Sequence, residues 1–356
     1  MINFIVDLLA FADQFIPSPI AFITKYIFSP ADLPKKLPAP DSSSTPAQHT
    51  PEITTFDVLS YNVNNVAVLS PTRRRRILRA IFSSGADIIL LQETNEPWEV
   101  LLKEEASALQ LYSHFHHPGA KDRAAGGLAL LSRYPIENVQ VLDFTKVIDG
   151  SVFPVMTCQL KIPMKAEMSN LPQNMTAGSR RPSSANPMCT VNVANVHLRP
   201  PVNLDGSAWF DTARKTEPIR INEVKELIQR TAGGISPQLQ APQLPLDIIA
   251  GDFNEGDDAG ALSYLKSLGY IDAVQRHVPR RKETHTWPFM KNMWTLRKRL
   301  DHILWHEEDL AVTPTSLGGN NNMKLHCLGC GVLSGYEDGA SDHQPVLSRF
   351  TFVAFE

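Results

Sequence analysis

Cysteine is scarce in this chain, and several familiar signatures of function are missing. Only four cysteines occur among 356 residues, which is too few for a disulfide scaffold. Cys327 and Cys330 form a single CxxC pair, which without a second pair is weak evidence for zinc, so we expect these thiols in or near a loop. The GxSxG nucleophile pattern and the phosphate-binding P-loop are absent, as is any repeat of fixed period. The sequence thus lacks the marks of a serine hydrolase, a P-loop nucleotidase or a repeat protein.

The chain also lacks a strong net charge. Its formal charge is -3 at pH 7, so no global basic field attracts nucleic acid. A polyanionic substrate would have to be held by local groups or by a metal. The length and the 43% share of hydrophobic residues are sufficient for one large α/β domain or two small ones.

Long apolar runs are missing as well. Residues 1–29 are apolar, but charges and prolines interrupt them, and no run approaches the roughly 20 residues that span a bilayer. The segment also lacks the basic start of a signal peptide. Two interpretations compete: residues 1–28 contact a membrane surface or a partner, or they pack on the domain as a clasp. The clasp is favoured, because interfacial helices carry more Lys and Arg. The compartment stays open between the cytoplasm and the membrane periphery, and the oligomeric state is undetermined.

Composition divides the remainder of the chain. Residues 30–52 are rich in Pro and Ser and are predicted to be a linker. The main domain is therefore expected at residues 53–356. Within it, residues 163–188 are polar, rich in Pro and Ser and without period, which predicts a mobile insertion.

Apolar runs within the main domain predict its strands and helices. Eight runs predict strands, and they read FDVLSYNV, ADIILLQE, GGLALLSR, VFPVMTCQLKI, CTVNVANVH, LDIIAGDFN, RLDHILW and PVLSRFTFVAF. A helix is expected from a cap at Thr72 to a stop at Gly85. Further helices are predicted at 98–109, 217–230 and 259–268. The alternation of strands and helices is typical of an α/β fold.

Polar side chains stand where the predicted strands end. The residues in such positions are Asn62, Glu93, His197, Asp252 with Asn254, and Asp301, and Asp342 with His343 directly precedes the last strand. One polar residue at a strand end is unremarkable. Several acids, amides and histidines in this arrangement indicate one rim of a sheet, where a scaffold gathers reactive groups.

The chemistry of this set favours a hard divalent cation. Glu93, Asp252 and Asp342 offer carboxylate oxygens, and Asn62 and Asn254 offer neutral oxygens. Mg²⁺ prefers such ligands and keeps waters and substrate phosphates in its shell.

Two histidines exceed what a magnesium site needs. His197 and His343 suit proton transfer or a hydrogen bond to a phosphate oxygen, and Asp301 can orient one imidazole. Asp301 and His302 are neighbours on a strand and should face opposite sides. We therefore expect Asp301 in the site and His302 in a structural role.

The order of these motifs resembles a known family. SYNVN, LQET, NVHLRP, GDFNE, RLDHIL and SDHQPV follow one another between Phe56 and Phe352, as in the endonuclease/exonuclease/phosphatase superfamily with its deoxyribonuclease-I-like fold. The resemblance implies an α/β fold, a four-layer α/β/β/α sandwich of two mixed β-sheets flanked by helices. It also implies metal-dependent hydrolysis of phosphate esters, with Mg²⁺ as the cofactor and Mn²⁺ as a substitute.

The resemblance implies roles on the metal side of the site. Glu93 would be the principal metal ligand, Asn62 would position the metal or a phosphate, and Asp342 would join the metal shell. Some DNA-repair members carry Asp two residues after the first Asn, where this chain has Asn64. That departure puts an abasic-site endonuclease role in doubt.

The resemblance also implies the catalytic side. Asp252 would align or activate the attacking water, and Asn254 would hold a phosphate oxygen. His343, paired with Asp301, would contact the scissile phosphate, and His197 resembles the second phosphate-binding histidine of the nuclease and sphingomyelinase-like branches.

The substrate stays open at this level. Arg199 either contacts a substrate phosphate or braces its loop. The arginines at 73–76 are expected to form a solvated helix face, and the aromatic and basic stretch 286–299 could stack bases or pack on the core. Nucleic acid, a phospholipid and a small phosphorylated metabolite all remain candidate substrates.

A second function class is a binding module that has kept the fold and lost the reaction. Such a module would be expected to have lost at least one of Glu93, Asp252 and His343. All three are present, which favours an enzyme.

Overall fold

The apolar runs of the sequence form the strands of two β-sheets. A computed structural model of the protein describes residues 54–118, 125–164, 188–201, 209–232, 246–278, 286–288, 297–307, 309–310, 323–333 and 340–354. The predicted N-terminal segment and linker, 1–52, and the interior of the predicted insertion, 165–187, lie outside these residues. The described residues belong to one compact unit, Ile53–Glu356. No helix in the described ranges has the length and apolarity needed to cross a bilayer.

Fifteen strands occur in the described residues. They are β1 (Thr55–Asn62), β2 (Ile88–Thr94), β3 (His114–His116), β4 (Gly127–Ser132), β5 (Ile136–Leu142), β6 (Val155–Pro163), β7 (Met188–His197), β8 (Ile248–Asp252), β9 (Ile271–Asp272), β10 (Trp287–Pro288), β11 (Arg297–Lys298), β12 (Asp301–Trp305), β13 (Asp309–Leu310), β14 (Met323–Val332) and β15 (Val346–Ala354). The first sheet has the order β13-β14-β15-β1-β2-β4-β3, and the second has the order β5-β6-β7-β8-β12-β9. β10 and β11 form a separate ribbon.

Both sheets mix parallel and antiparallel pairs. β1 runs parallel to β2 and antiparallel to β15. In the second sheet β8 runs parallel to β7 and antiparallel to β12. β6 and β7 pair as far as Pro163 and Met188, so the ends of the predicted insertion meet at the tip of a hairpin.

Four helices of the described residues pack on the outer faces of the sheets, and a fifth, which follows β9, buries Ala273 and Val274 in the core between the sheets. They are α1 (Pro71–Ser83), α2 (Glu96–Leu109), α3 (Trp209–Thr231), α4 (Gly260–Ser267) and α5 (Ala273–His277), and a short 3-10 turn spans Ala67–Leu69. Because side chains alternate along a strand, each sheet buries both faces. Val58 and Leu90 of the first sheet pack with Val193 of the second between the sheets.

The remaining faces form two further cores. Leu59 of β1 packs with Ile77 of α1 on one side, and Ile249 of β8 packs with Val224 of α3 and Leu262 of α4 on the other. These three cores separate four layers, and the predicted α/β/β/α sandwich is confirmed.

Several predicted helix boundaries differ from the structure, and α2, for example, begins at Glu96 rather than at 98. α1 begins at Pro71, one residue before the expected cap Thr72, because the Ser70 side chain accepts a hydrogen bond from the backbone of Arg73 (3.4 Å) and proline suits the first helical position. The long helix α3 begins at Trp209 rather than at 217.

The structure also places the CxxC pair differently. Cys327 and Cys330 lie within β14 rather than in or near a loop. Cys327 is buried, and the sulfur of Cys330 accepts a hydrogen bond from the Ser348 hydroxyl (3.0 Å). The prediction missed this strand because its glycines and its His and Lys residues interrupt any apolar run.

Candidate active site

The polar residues singled out above meet at one rim of the two sheets. Asn62, His197 and Asp252 end β1, β7 and β8, and Asp301 begins the antiparallel strand β12. In the ladder Asp252 lies opposite His197 on one side and opposite Asp301 on the other. Neighbouring strands lie about 5 Å apart, so this register alone brings three of the groups together.

Asp252 is at the centre of the site. Its Oδ2 accepts a hydrogen bond from Asn62 Nδ2 (3.0 Å), and its Oδ1 accepts one from the backbone N–H of Asn254 (2.8 Å). Nε2 of His343 lies 3.6 Å from the same Oδ2, and Nε2 of His197 lies 3.7 Å from it. The carboxyl is 1% exposed, and this burial raises its pKa to about 7 although the His343 charge opposes the shift.

The two imidazoles carry different charges. Burial opposes a charge on His343, but Asp301 and Asp252 outweigh it and hold the His343 pKa well above its ordinary value. Its Nδ1 donates to Asp301 Oδ2 (2.8 Å), so the ring is fixed with Nε2 toward Asp252. Burial and the nearby His343 lower the His197 pKa to about 3, so His197 is neutral.

His197 is held from two directions. Its Nδ1 lies 3.1 Å from the carbonyl oxygen of Ala125. A carbonyl only accepts, so Nδ1 carries the hydrogen and Nε2 is an acceptor. The Phe153 ring stacks on the imidazole, with centroids 4.2 Å apart and planes 17° apart. Sequence reasoning had no signal for Phe153.

A second group of oxygen donors borders Asp252. Asn62 Nδ2 also donates to Glu93 Oε1 (3.1 Å), and the backbone N–H of Asn65 donates to Glu93 Oε2 (3.1 Å). Asn64 Nδ2 donates to Asp342 Oδ1 (2.7 Å). Burial, followed by the negative charge of Asp342, raises the Glu93 pKa. Two carboxylates that repel each other across one rim are what a divalent cation would stabilise, so the residues present fit such a cation.

Three residues of the site adopt left-handed backbone conformations. The φ angles of Asn64, Glu93 and Asn254 are 58°, 57° and 55°. Asn tolerates this region, but a residue such as Glu93 enters it at a cost of about 1 kcal/mol or more. The surrounding hydrogen bonds therefore hold Glu93 in a conformation that it would otherwise leave.

By spacing alone, two other groups of the described residues could hold a metal. Asp252, Asp301 and His343 have donor atoms within 4.8 Å of one another, but the hydrogen bond between His343 and Asp301 already uses two of those atoms. The predicted catalytic roles of these three residues stay predictions. The prediction that Glu93, Asn62 and Asp342 ligate the metal stays a prediction.

The other group is a buried salt bridge. It consists of Asp257, Asp272 and His302, and the Arg299 guanidinium lies between the two acids, with Nη1 2.7 Å from Asp272 Oδ1 and Nε 2.7 Å from Asp257 Oδ1. His302 Nδ1 lies 2.8 Å from Asp272. His302 thus faces away from Asp252, as the strand alternation predicts. Arg299 is committed internally and is not part of a basic groove.

The loop after β7 is held by helix α3. Its Arg199 is buried, and the backbone N–H donates to Glu223 Oε2 (2.9 Å) while the carbonyl accepts from Arg220 Nη1 (3.1 Å). The adjacent Leu198 carbonyl accepts from Asn254 Nδ2 (2.9 Å). These contacts are made by the backbone of Arg199, so both predicted roles of its side chain, bracing the loop and contacting a substrate phosphate, stay predictions. Sequence reasoning missed Arg220 and Glu223, although polar residues on the inner face of a helix were a usable signal.

The segment before β15 is tied to β1. The Ser341 hydroxyl donates to the Asn62 carbonyl (2.7 Å) and accepts from the His343 N–H (3.1 Å). Arg73 Nε donates to the Ala340 carbonyl (2.8 Å). Arg73 is half-buried, so the expected solvated face of four arginines is wrong for this residue. Of the stretch 286–299, residues 289–296 lie outside the described part.

The chain is similar to known proteins in its sequence profile and in its fold. The sequence profile of the Endonuclease/Exonuclease/phosphatase family matches residues 59–343. Direct comparison with curated protein sequences gives no match. The fold is similar to that of an endonuclease/exonuclease/phosphatase family protein from Bacteroides thetaiotaomicron, with a TM-score of 0.53 and 18% identity over 85% of this chain and 99% of that one.

Two other solved structures have similar folds. TDP2 from D. rerio, complexed with single strand DNA product, has a TM-score of 0.50 and 14% identity, over 83% of this chain and 99% of that one. A functionally unknown conserved protein from Enterococcus faecalis has a TM-score of 0.50 and 13% identity, over 84% of this chain and all (100%) of that one. At these identities the similarity establishes the fold.

Proposed function

The chain belongs to the endonuclease/exonuclease/phosphatase family and is a hydrolase of phosphate esters; we propose that it cleaves a phosphodiester with a divalent cation, by in-line attack of water. One observation carries the proposal. Asp252 Oδ2 accepts from Asn62, which also donates to Glu93, and two imidazole Nε2 atoms lie within 3.7 Å of the same oxygen. Oxygen ligands for a cation, the charged imidazole of His343 as a donor and the neutral imidazole of His197 as an acceptor thus surround one buried carboxylate.

In the proposed reaction Asp252 orients the water. The carboxylate is fixed through both oxygens by Asn62 and Asn254, so its remaining lone pairs point in set directions. A water held there needs no reorientation when it attacks, which lowers the entropic cost of the step.

The charged imidazole of His343 stabilises charge on the phosphate. Asp301 fixes His343 so that Nε2 points toward Asp252, and the Asn254 amide lies on the loop after β8. His197 ends β7, and its proposed contact with a phosphate oxygen would need the hydrogen on Nε2, the other tautomer from the one described above. Donors that are already aimed at developing negative charge contribute on the order of 100-fold each in rate. The same Asp301 holds the ring in position throughout turnover.

Glu93, Asn62 and Asp342 would hold the cation, for which we propose Mg²⁺ with Mn²⁺ as a substitute. Bound there, the cation would supply positive charge against the charge that builds at phosphorus. The backbone of this chain contributes the Asn65 N–H and the strained conformation of Glu93, which keep that carboxylate turned toward the rim.

The direct test compares wild type with Asp252→Asn and His343→Gln. Substrates are plasmid DNA, RNA, labelled sphingomyelin and bis(p-nitrophenyl) phosphate, each with Mg²⁺. Both variants should lose on the order of 100-fold or more in turnover while they remain folded, which a cooperative thermal transition checks. The matched controls are Asp258→Asn and His326→Gln, because Asp258 is exposed in the same acidic loop and His326 is exposed on β14.

The esters that the wild type cleaves identify the substrate class among nucleic acid, phospholipid and small metabolite. Near-normal turnover in either variant would remove that residue from the mechanism. Failure of the wild type on every ester, with Mg²⁺ and with Mn²⁺, would instead favour a binding module that has lost the reaction.

A further inference from the structure

The candidate active site is divided between the two sheets. Asn62 and Glu93, which we expect to hold the cation, lie at the ends of β1 and β2 in the first sheet. His197 and Asp252, which we expect to meet the phosphate and the water, end β7 and β8 in the second sheet. A misplacement of about 1 Å between reacting groups can cost on the order of 100-fold in rate. The proposed reaction therefore depends on how firmly one sheet is held against the other.

One amide side chain from each sheet meets the other below the rim. The face of β2 that packs on the second sheet carries Leu90 and then Gln92, and the facing side of β7 carries Val193 and then Asn195. Gln92 and Asn195 are 0% and 1% exposed. They are the first polar residues on these two faces as the strands approach the rim, because side chains alternate along a strand.

The Asn195 amide inserts into the first sheet. Its Nδ2 donates to the carbonyl oxygens of Leu91 (3.0 Å) and Ala129 (3.2 Å), on the neighbouring strands β2 and β4. A carbonyl only accepts, so the nitrogen must face these two oxygens, and Oδ1 is left to accept from Gln92 Nε2 (2.7 Å). Three hydrogen bonds therefore join β7 to the first sheet directly below the site.

This amide pair is not the most stable way to fill the space. Gln92 Oε1 has no hydrogen-bond partner among the described residues, and a buried polar atom without a partner lowers stability. Two apolar side chains of the same shape would be about as stable or more so. Apolar contacts are non-directional, whereas hydrogen bonds have a defined distance and angle. The pair therefore contributes geometry that an apolar contact would not.

We propose that Gln92 and Asn195 are positioning residues, which hold the cation side of the site at a fixed distance from the side that meets water and phosphate. The inference rests on the proposed function and adds to it two residues that touch neither cation nor substrate. The hydrogen bond between Asn62 and Asp252 (3.0 Å) crosses the same gap, but those two residues take part directly in the proposed reaction. Gln92 and Asn195 lie beneath them and act only through the strands that they join.

The experiment uses the full chain and the variants Gln92→Met, Asn195→Leu and their combination, which replace each amide by an apolar group of similar shape. The control is Val193→Ala, because Val193 packs between the same two sheets without a polar contact. Urea unfolding is measured without metal. The kcat and KM for bis(p-nitrophenyl) phosphate are measured with Mg²⁺. Melting temperatures are measured with Mg²⁺ and with dimethyl phosphate, a diester with poor leaving groups, separately and together.

Stability and turnover should respond differently. Each single variant should lower the urea midpoint, because it leaves a buried amide without its partner, and the double variant should lose less than the sum of the two. The kcat of the double variant should nevertheless fall on the order of tenfold or more at unchanged KM. Val193→Ala should lose stability through the space that it leaves in the core and keep its kcat.

The melting temperatures separate the two sides of the site. Mg²⁺ should raise the melting temperature of the double variant as much as that of the wild type, because its proposed ligands all belong to the side of the first sheet. In the wild type, Mg²⁺ and dimethyl phosphate together should give a larger rise than the sum of their separate rises. The double variant should lose this excess, because the cation and the phosphate no longer meet at the right distance.

Three results would overturn the positioning role. They are a double variant with the kcat of the wild type, a kcat that falls equally in Val193→Ala, and a double variant that loses the rise with Mg²⁺ alone. If the wild type cleaves no ester, the proposed function fails, and the melting temperatures decide the inference: a wild type without the excess, or a double variant that keeps it, refutes it. If the double variant does not fold, Gln92→Met takes its place, since it keeps both carbonyl contacts of Asn195.

Discussion

Replacing the buried Glu223 with glutamine tests how helix α3 supports the site. Glu223 is 1% exposed and accepts hydrogen bonds from the Ser151 hydroxyl (2.6 Å) and the Arg199 N–H (2.9 Å). The glutamine oxygen can accept from Arg199, and its NH₂ can donate to Ser151, whose hydroxyl can turn to accept. The substitution therefore removes the charge while both contacts persist.

The structure sets the size of the expected effect. Burial raises the pKa of Glu223 from 4.5 to about 7, against the opposing hydrogen bonds from Ser151 and Arg199. Because the folded-state pKa is the higher one, the stability linked to this group is fully present below about pH 4.5 and is lost as the pH rises through about 7. The difference corresponds to about 3 kcal/mol in the free energy of unfolding.

Urea unfolding between about pH 5 and pH 8 measures this effect. Relative to wild type, Glu223→Gln should gain up to about 3 kcal/mol as the pH rises across this window. Glu226→Gln is the matched control, because Glu226 lies one turn away on the same helix and pairs with Arg230 at the surface. If the pH profiles of wild type and Glu223→Gln run parallel, Glu223 is ionised in the folded protein without a penalty and the reasoning fails.

Two further predictions concern the backbone and the cation. A Cβ on Gly251, whose φ is +149°, would lie 1.9 Å from the Val196 carbonyl oxygen, so Gly251→Ala should lower the free energy of unfolding in urea by about 3 kcal/mol or more. The control Gly256→Ala, which has open space around it, should lower it far less. Equal losses of stability in the two variants would contradict the close approach of β7 and β8. Mg²⁺ at about 100 times its Kd should stabilise the wild type by about 2.7 kcal/mol, which is measured as a rise in melting temperature. Glu93→Gln should lose this rise, and the exposed control Glu96→Gln should keep it. A rise that persists in Glu93→Gln would place the cation elsewhere.

The strands that carry the site could be predicted from the sequence. A strand buried on both faces is typically a near-continuous apolar run, and the short run ending at Asp252 has this pattern. The alternation of side chains along a strand also separated Asp301 from His302. Local preferences decided these features, because each depends on a few consecutive residues.

Other elements could not be predicted from the sequence, because contacts with neighbouring elements stabilise them. β14 forms in spite of four polar or glycine interruptions, since it pairs along its length with β15. The role of Glu223 depends on its contact with the loop after β7. The extent of the domain and the roles of the site residues stay predictions.

The order of the motifs along the chain was a property of the sequence alone, and it sufficed to indicate the family and the kinds of group in the site. Only the tertiary structure decided which groups touch. Asn62 and Asp252 are 190 positions apart, and Asp301 and His343 are 42 apart. Their hydrogen bonds exist because sheet register and the packing of one sheet on the other fix distances that no local pattern encodes.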